Sequence, residues 1–446
     1  MTSKTLIRGG YVLTLGAKTA NLAEGDVLVE DGTVVEVGPG LRDRDAEVVD
    51  ASGTIVMPGF VDTHRHVWKS LFKSLGDGGS DGAGPVPAAV VGHHHRPEDV
   101  YAATLTGLLG AVEAGITTVV DWSDIQFDAR YTDAALQAHA DAGLRTVFVH
   151  SAPHWAESHE DVRPALRRLA GMSASAPGSP TTFAYGPIDP KRSDLDRAAD
   201  EWALARELGL RIHAHAGSEA SDRGVVSSLA ERGLLGEDVT LVHCSHLDDA
   251  ELDAIASTRT AVSVTPASDM AGGRGRPPTQ QLIDRGIRPG LGVDDERVAP
   301  GDMFAQMRAL ISLQHATLFD LKLAGKGGIP NLLSTRDVIR YATLDGARTA
   351  GLGGVTGSIE PGKQADIVVL RADRPNVFPI NDPIGAVVWG MDTSNLDSVF
   401  VAGRALMRGG VLQADVARAR KLATAAQGRV GAAAGLIVGT VSGGER

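Results

Sequence analysis

The sequence is short of cysteine, of long apolar runs and of positive charge, and each shortage excludes a class of protein. Cys244 is the only cysteine in 446 residues. No internal disulfide can staple the chain, and a reducing compartment, the cytoplasm, is expected. No run approaches the roughly 18 apolar residues of a membrane-spanning helix; the stretch GAAAGLIVGTV at 431–441 is too short and too glycine-rich. The opening residues, MTSKTLIRGGYVLTLG, carry neither the apolar core nor the small-residue cleavage site of a secretory leader. A formal charge of −12 and a pI near 5.6 argue against nucleic acid or an anionic membrane as the main partner.

What is present is enough chain for a large core. Residues 1–57 and 357–415 read as β-rich: DVLVEDGTVVEVG is two strands joined at Asp31-Gly32, a strong hairpin signal. These two ends are expected to form one small composite β-sandwich domain. The middle, 58–356, alternates apolar strands with helical patterns. Candidate strands are 55–62, 115–122, 144–151, 181–186, 209–216, 239–244, 261–266 and 288–294, each followed by a helix-like segment, the last at 302–316. Eight such units predict an α/β fold, a (β/α)8 TIM-like barrel. Residues 316–334 read as a Gly/Lys-rich connection and 335–351 as a helix. The tail, 416–446, is alanine-rich and helix-prone.

In such a barrel the active site lies at the C-terminal ends of the strands. His64 and His66 end the run IVMPGFVDTHRH, His215 ends LRIHAHA, and Asp294 ends RPGLGVD. Residues two apart on a strand face the same side, so both imidazoles of the first pair can reach one ion. Three imidazoles and a carboxylate suit a divalent cation, zinc first and iron second. The ion would acidify a water and make a nucleophile at neutral pH, with Asp294 also accepting the proton.

Other residues earn weaker readings. His243, ending strand six, is expected to face the site and to polarise substrate or hold the attacking water. His213 reads as packed, Cys244 as structural and Asp295 as a turn or cap residue. The triplet His93-His94-His95 reads as a solvated loop beside the glycine- and aspartate-rich stretch 76–84. The glycine-rich loop PASDMAGGRGRPP would lie over the barrel mouth and offer Asp269 and Arg274 to a polar or anionic substrate. Trp155 and Trp122, near other strand ends, could stack on a flat ring or simply be packed.

Taken together, VMPGFVDTHRH, GITTVVDW, the HAH strand, LVHCSHLDD, LGVDD and GSIEPGKQADIVVL resemble the amidohydrolase superfamily, in the branch of guanine and S-adenosylhomocysteine deaminases and s-triazine hydrolases. The resemblance implies a barrel with a β-sandwich from both termini, His64, His66, His215 and Asp294 at the metal-ligand positions, His243 at the histidine after strand six, one metal, and a homodimer or higher homo-oligomer. Binuclear relatives use a bridging lysine at the end of strand four; TTFAYGPIDP has none and Lys191 comes later, so one ion is expected. Deaminases of this branch carry glutamate three residues after the strand-five histidine. Here that position is Ser218, and Glu219 follows it. Glu219 from a shifted loop, or Ser218, would then assist proton transfer. The leading expectation is a mononuclear aminohydrolase acting on a small nitrogen heterocycle. Hydrolysis of an amide or carbamate carbon–nitrogen bond is the enzymatic rival, and a barrel that binds ligand without turnover is the third reading.

Overall fold

The computed structural model describes residues 3–75, 88–155, 161–176, 178–190 and 195–436. The stretch 76–84, Lys191 and the end of the 431–441 run lie outside them. Eight parallel strands form the barrel sheet: β1 (Phe60–Arg65), β2 (Ile116–Ser123), β3 (Arg145–Ser151), β4 (Thr181–Gly186), β5 (Arg211–Ala216), β6 (Val239–His243), β7 (Ala261–Val264) and β8 (Gly290–Leu291). They pair in chain order from β1 to β8. The strands are buried on both faces and rich in Val, Ile and Thr, as parallel strands covered by helices must be.

Strand β8 is only two residues long, so the ring closes just beyond it. Asp294 donates its N–H to the His64 carbonyl (2.8 Å), and His66 donates to the Asp294 carbonyl (3.0 Å). These two bonds tie the proposed ligands from opposite ends of the barrel into one piece of backbone.

The other strands form a nine-stranded sheet from both ends of the chain. Ile367–Arg371 runs antiparallel to Thr54–Pro58, which joins the C-terminal hairpins to the N-terminal strands. Ile7, Val27, Val56, Ile367, Val369 and Phe400 pack into this sheet's own apolar cluster. The hairpin at Asp31-Gly32 is present, and Gly32 is needed twice: φ is +79°, and a Cβ would lie 2.4 Å from the Ala402 carbonyl oxygen. Arg145 of β3 clamps the sheet to the barrel with two hydrogen bonds to Asp366, 2.6 and 3.1 Å long.

Several boundaries differ from expectation. Residues 55–62 form two strands rather than one. Pro58 ends the first, and Gly59 turns the chain into the barrel so close to Thr117 that a Cβ would lie 2.1 Å from that side chain. The helix expected at 302–316 continues to Leu323, because LFDLKLA keeps helix formers until Gly325 stops it at φ +68°. The helix expected at 335–351 is two, Thr335–Tyr341 and Leu344–Thr349. The tail does form a helix, Val416–Ala433, with Arg429 paired to Asp99 and Gln427 donating to the Leu71 carbonyl (2.9 Å). Among the described residues no helix is long and apolar enough to cross a membrane.

Candidate metal centre

The ends of β1, β5, β6 and β8 meet at one point. His64 Nε2 lies 3.2 Å from His215 Nε2 and 3.5 Å from Asp294 Oδ1, and His66 Nε2 lies 3.5 Å from the same oxygen. An ion held tetrahedrally at about 2.0–2.1 Å spaces its ligand atoms roughly 3.3–3.4 Å apart, so these separations fit one. A second observation agrees. Among the described residues Asp294 Oδ1 is buried without a hydrogen-bond partner, and a buried carboxylate oxygen without a donor is costly unless a cation meets it. His64, His66, His215 and Asp294 could therefore hold a divalent cation.

The surrounding atoms orient this set. His66 hydrogen-bonds through Nδ1 to Asp124 Oδ1 (2.9 Å), which also accepts from Trp68 Nε1 (2.6 Å). That leaves His66 Nε2 for the centre. Asp294 Oδ2 accepts from Ser268 Oγ (2.7 Å) and Arg274 Nη1 (2.5 Å), which turns Oδ1 towards the imidazoles. His243 hydrogen-bonds through Nδ1 to Asp269 Oδ1 (2.8 Å) and Thr265 Oγ1 (3.1 Å), leaving Nε2 for the cavity. Its ring stacks 5.3 Å from that of His215, and Trp122 lies 4.2 Å from His215 on another side.

The electrostatics favour ligand-competent forms. Burial holds the His64 imidazole down at about 3 and pushes those of His215 and His213 well below the usual histidine range, so all stay neutral. Burial opposes the charge on Asp294, but Arg274 and His64 outweigh it and hold that carboxyl well below its ordinary value. Strain is concentrated here too. His243 (φ +75°), Cys244 (+58°) and Asp294 (+64°) all adopt left-handed backbone, at about 1–3 kcal/mol each.

A cavity of about 180 Å³ opens beside the centre, lined by His66, Lys69, Trp122, Asp124, His154, Asp189, His215, Ser218, Glu219, His243 and Arg274. Ser218 donates to Asp222 Oδ2 (3.1 Å). Glu219 is exposed at the rim, and its carboxylate accepts from Ser221 (3.2 Å).

Two substrate-contact expectations are corrected. Asp269 does not reach the cavity: PASDMAGG begins with a helix, Pro266–Ala271, which buries Asp269 completely behind His243. Trp155 is not in the cavity wall either; its ring packs 5.7 Å from Trp68 and against Gly92. Arg274 does line the cavity, with its guanidinium committed to Asp294. Asp295 is more than a turn residue, since its buried carboxylate binds Arg297 (2.6 Å) and Lys69 (3.4 Å). His95 is buried, not solvated, while His93 and His94 are exposed. Sequence reasoning missed Asp124, Ser268 and Lys69. Asp124 follows the apolar run GITTVVDWS at a barrel mouth and could have been found that way; Lys69 and Ser268 carry no such signal.

A model of the amidohydrolase family matches residues 55–406. The chain is 30% identical over 431 residues to 5′-deoxyadenosine deaminase of Methanothermobacter thermautotrophicus, covering 92% of this chain and 94% of that one. It is 29% identical to 5-methylthioadenosine/S-adenosylhomocysteine deaminase of Symbiobacterium thermophilum, with 90% and 93% covered. A crystal structure of a Xanthomonas campestris adenosine deaminase with bound zinc superposes with a TM-score of 0.82 at 22% identity, covering 96% of this chain and 98% of that one. With the barrel, the terminal sheet and a family match over most of its length, the chain belongs to the amidohydrolase family.

Proposed function

We propose that this protein is a mononuclear, divalent-metal-dependent hydrolase that deaminates a small nitrogen heterocycle. The observation that carries the proposal is the approach of His64 and His66 Nε2 to a buried Asp294 oxygen that has no hydrogen-bond partner among the described residues, with His215 Nε2 3.2 Å from His64 Nε2. His64, His66, His215 and Asp294 hold the ion, zinc in the first instance and iron in the second. A bound zinc supplies an acidified water and a Lewis acid beside the carbon under attack.

The chain's residues do the rest. Asp294 accepts the proton that the attacking water loses, its plane fixed by Ser268 and Arg274 on Oδ2. His243, its Nδ1 held by Asp269, presents Nε2 to the attacking water and to the oxygen that this water adds to the ring carbon. Trp122 walls the ring's side of the cavity. Ser218 and Glu219 are the proton-carrying groups on the loop after β5, and Glu219 is the one of the two able to shuttle a proton at neutral pH.

One observation favours the second reading, hydrolysis of an amide or carbamate carbon–nitrogen bond. Glu219 points to the rim, and Ser218 carries no carboxylate. Such a substrate needs no proton delivered to a ring nitrogen.

The test is ammonia release by zinc- or iron-loaded protein over aminated purines, pyrimidines, pterins and triazines, with 5′-deoxyadenosine and 5-methylthioadenosine added because relatives bear those names. Release from any of them supports deamination, and a drop of about 100- to 10,000-fold in Glu219→Gln would assign the shuttle. Silence across the panel with metal bound would overturn deamination in favour of amide or carbamate hydrolysis.

A further inference from the structure

Lys69 is a buried cation in the wall of the cavity that the chemistry above does not use. It sits in the 3-10 turn Val67–Phe72, three residues beyond His66. Its side chain is 7% exposed, its ammonium nitrogen lies 5.9 Å from the centroid of the Trp68 ring, and it lines the cavity beside the candidate centre. An ammonium withdrawn from water is strongly disfavoured unless its hydrogens find acceptors. Among the described residues Lys69 has one hydrogen bond, a long one of 3.4 Å to Asp295 Oδ2. That oxygen also takes a 2.6 Å bond from Arg297, whose guanidinium makes further bonds to Asp295 and neutralises it. The other carboxylate whose charged form Lys69 favours is Asp124, where burial opposes the charge and His66 supports it more strongly than Lys69 does; its Oδ1 is taken by His66 and Trp68. An ammonium has three donors, so Lys69 keeps donor capacity at the cavity wall. Holding Asp295 in place does not require it.

Resting on the deaminase reading, we propose that Lys69 is a substrate-reading residue whose ammonium hydrogen-bonds an oxo or anionic oxygen on the heterocycle. The preferred substrate is thus an amino-oxo ring and not a bare aminated ring. An oxygen acceptor would complete the hydrogen bonding of the buried ammonium, whereas a ring presenting only C–H at that edge would leave it unpaired. The same donor would favour the negative charge that builds on the ring as water adds.

The experiment compares matched pairs of rings that differ by one oxo group: isoguanine with adenine, guanine with 2-aminopurine, isocytosine with 2-aminopyrimidine. Wild type, Lys69→Met and Lys69→Arg are assayed for ammonia release, and the same rings are titrated calorimetrically into each metal-loaded protein. Lys69→Met keeps an unbranched side chain of similar length and removes the charge, and a thermal melt checks that each variant is folded. The expected result is a wild-type preference for the oxo member of a pair that falls about 10- to 100-fold in Lys69→Met and is partly kept in Lys69→Arg. A preference unchanged by Lys69→Met, or a wild type that favours the bare ring, overturns the proposal. Absence of turnover on every ring would sink the deaminase reading alone. The calorimetry then decides for Lys69: selective, Lys69-dependent binding of oxo rings upholds it, and equal binding of both members by all three proteins overturns it.

Discussion

Asp269→Asn is the most informative single change. Asp269 is fully buried; its Oδ1 bonds His243 Nδ1 at 2.8 Å, and its Oδ2 has no partner among the described residues. The carboxylate fixes the proton on Nδ1 and so leaves Nε2 available to the attacking water. An amide of the same shape keeps the packing and removes the charge. It can also turn its NH2 towards Nδ1 and so invert the tautomer. A hydrogen bond to a charged group contributes about 1.5–3 kcal/mol, and here it acts on the reacting geometry. The expected loss in kcat/KM is about 10- to 100-fold, with metal content and melting temperature near those of the wild type. The assay is steady-state turnover on the best substrate, with metal measured on the same samples. Turnover within about twofold of wild type would refute the role given to His243. Metal falling in step with activity would move His243 into the ligand set.

Three further outcomes are expected. Asp294→Asn should fold and lose about 100- to 10,000-fold in turnover, because it weakens the ligand and removes the proton acceptor; near-normal rates would contradict both roles. Gly59→Ala should lower the urea midpoint by the equivalent of about 1–3 kcal/mol, since its Cβ would lie 2.1 Å from Thr117; an unchanged midpoint would mean that the crossover yields freely. Burial lowers the His95 imidazole from 6.5 to about 4, so between those values the unfolded chain binds the proton more tightly. Stability conferred by neutral His95 is therefore full above about pH 6.5 and lost as pH falls towards 4, by roughly 1.4 kcal/mol per pKa unit; denaturant melts of His95→Gln should show a flatter acid limb than wild type.

The parts of this molecule that sequence made legible share one property: their signals are local. Each barrel strand is an apolar run of its own, and His64, His66, His215 and Asp294 each stand at or just past the end of one. Their convergence follows once the runs are arranged as a barrel. The parts that were not legible depend on contacts between distant segments. Asp269 looked like a loop residue because a single helical turn leaves little periodicity, and its partner His243 is 26 positions away. Lys69 gains its place from Asp295, 226 positions away. Nearness to a strand end in sequence leaves Trp155 open between stacking and packing, because it does not fix the direction of the loop; its ring turns to Trp68 and Gly92. The division of 55–62 into two strands follows from the close approach of Gly59 to Thr117, which composition does not announce.

The central claim is a single divalent ion held by His64, His66, His215 and Asp294. It is tested most directly by stripping the protein with a chelator and titrating zinc back while turnover is followed. The account predicts no turnover at the start, a linear rise, and a plateau at one equivalent per chain, with His215→Ala failing to recover at any concentration used. Turnover in the stripped protein, or a plateau reached only at two equivalents, would contradict it.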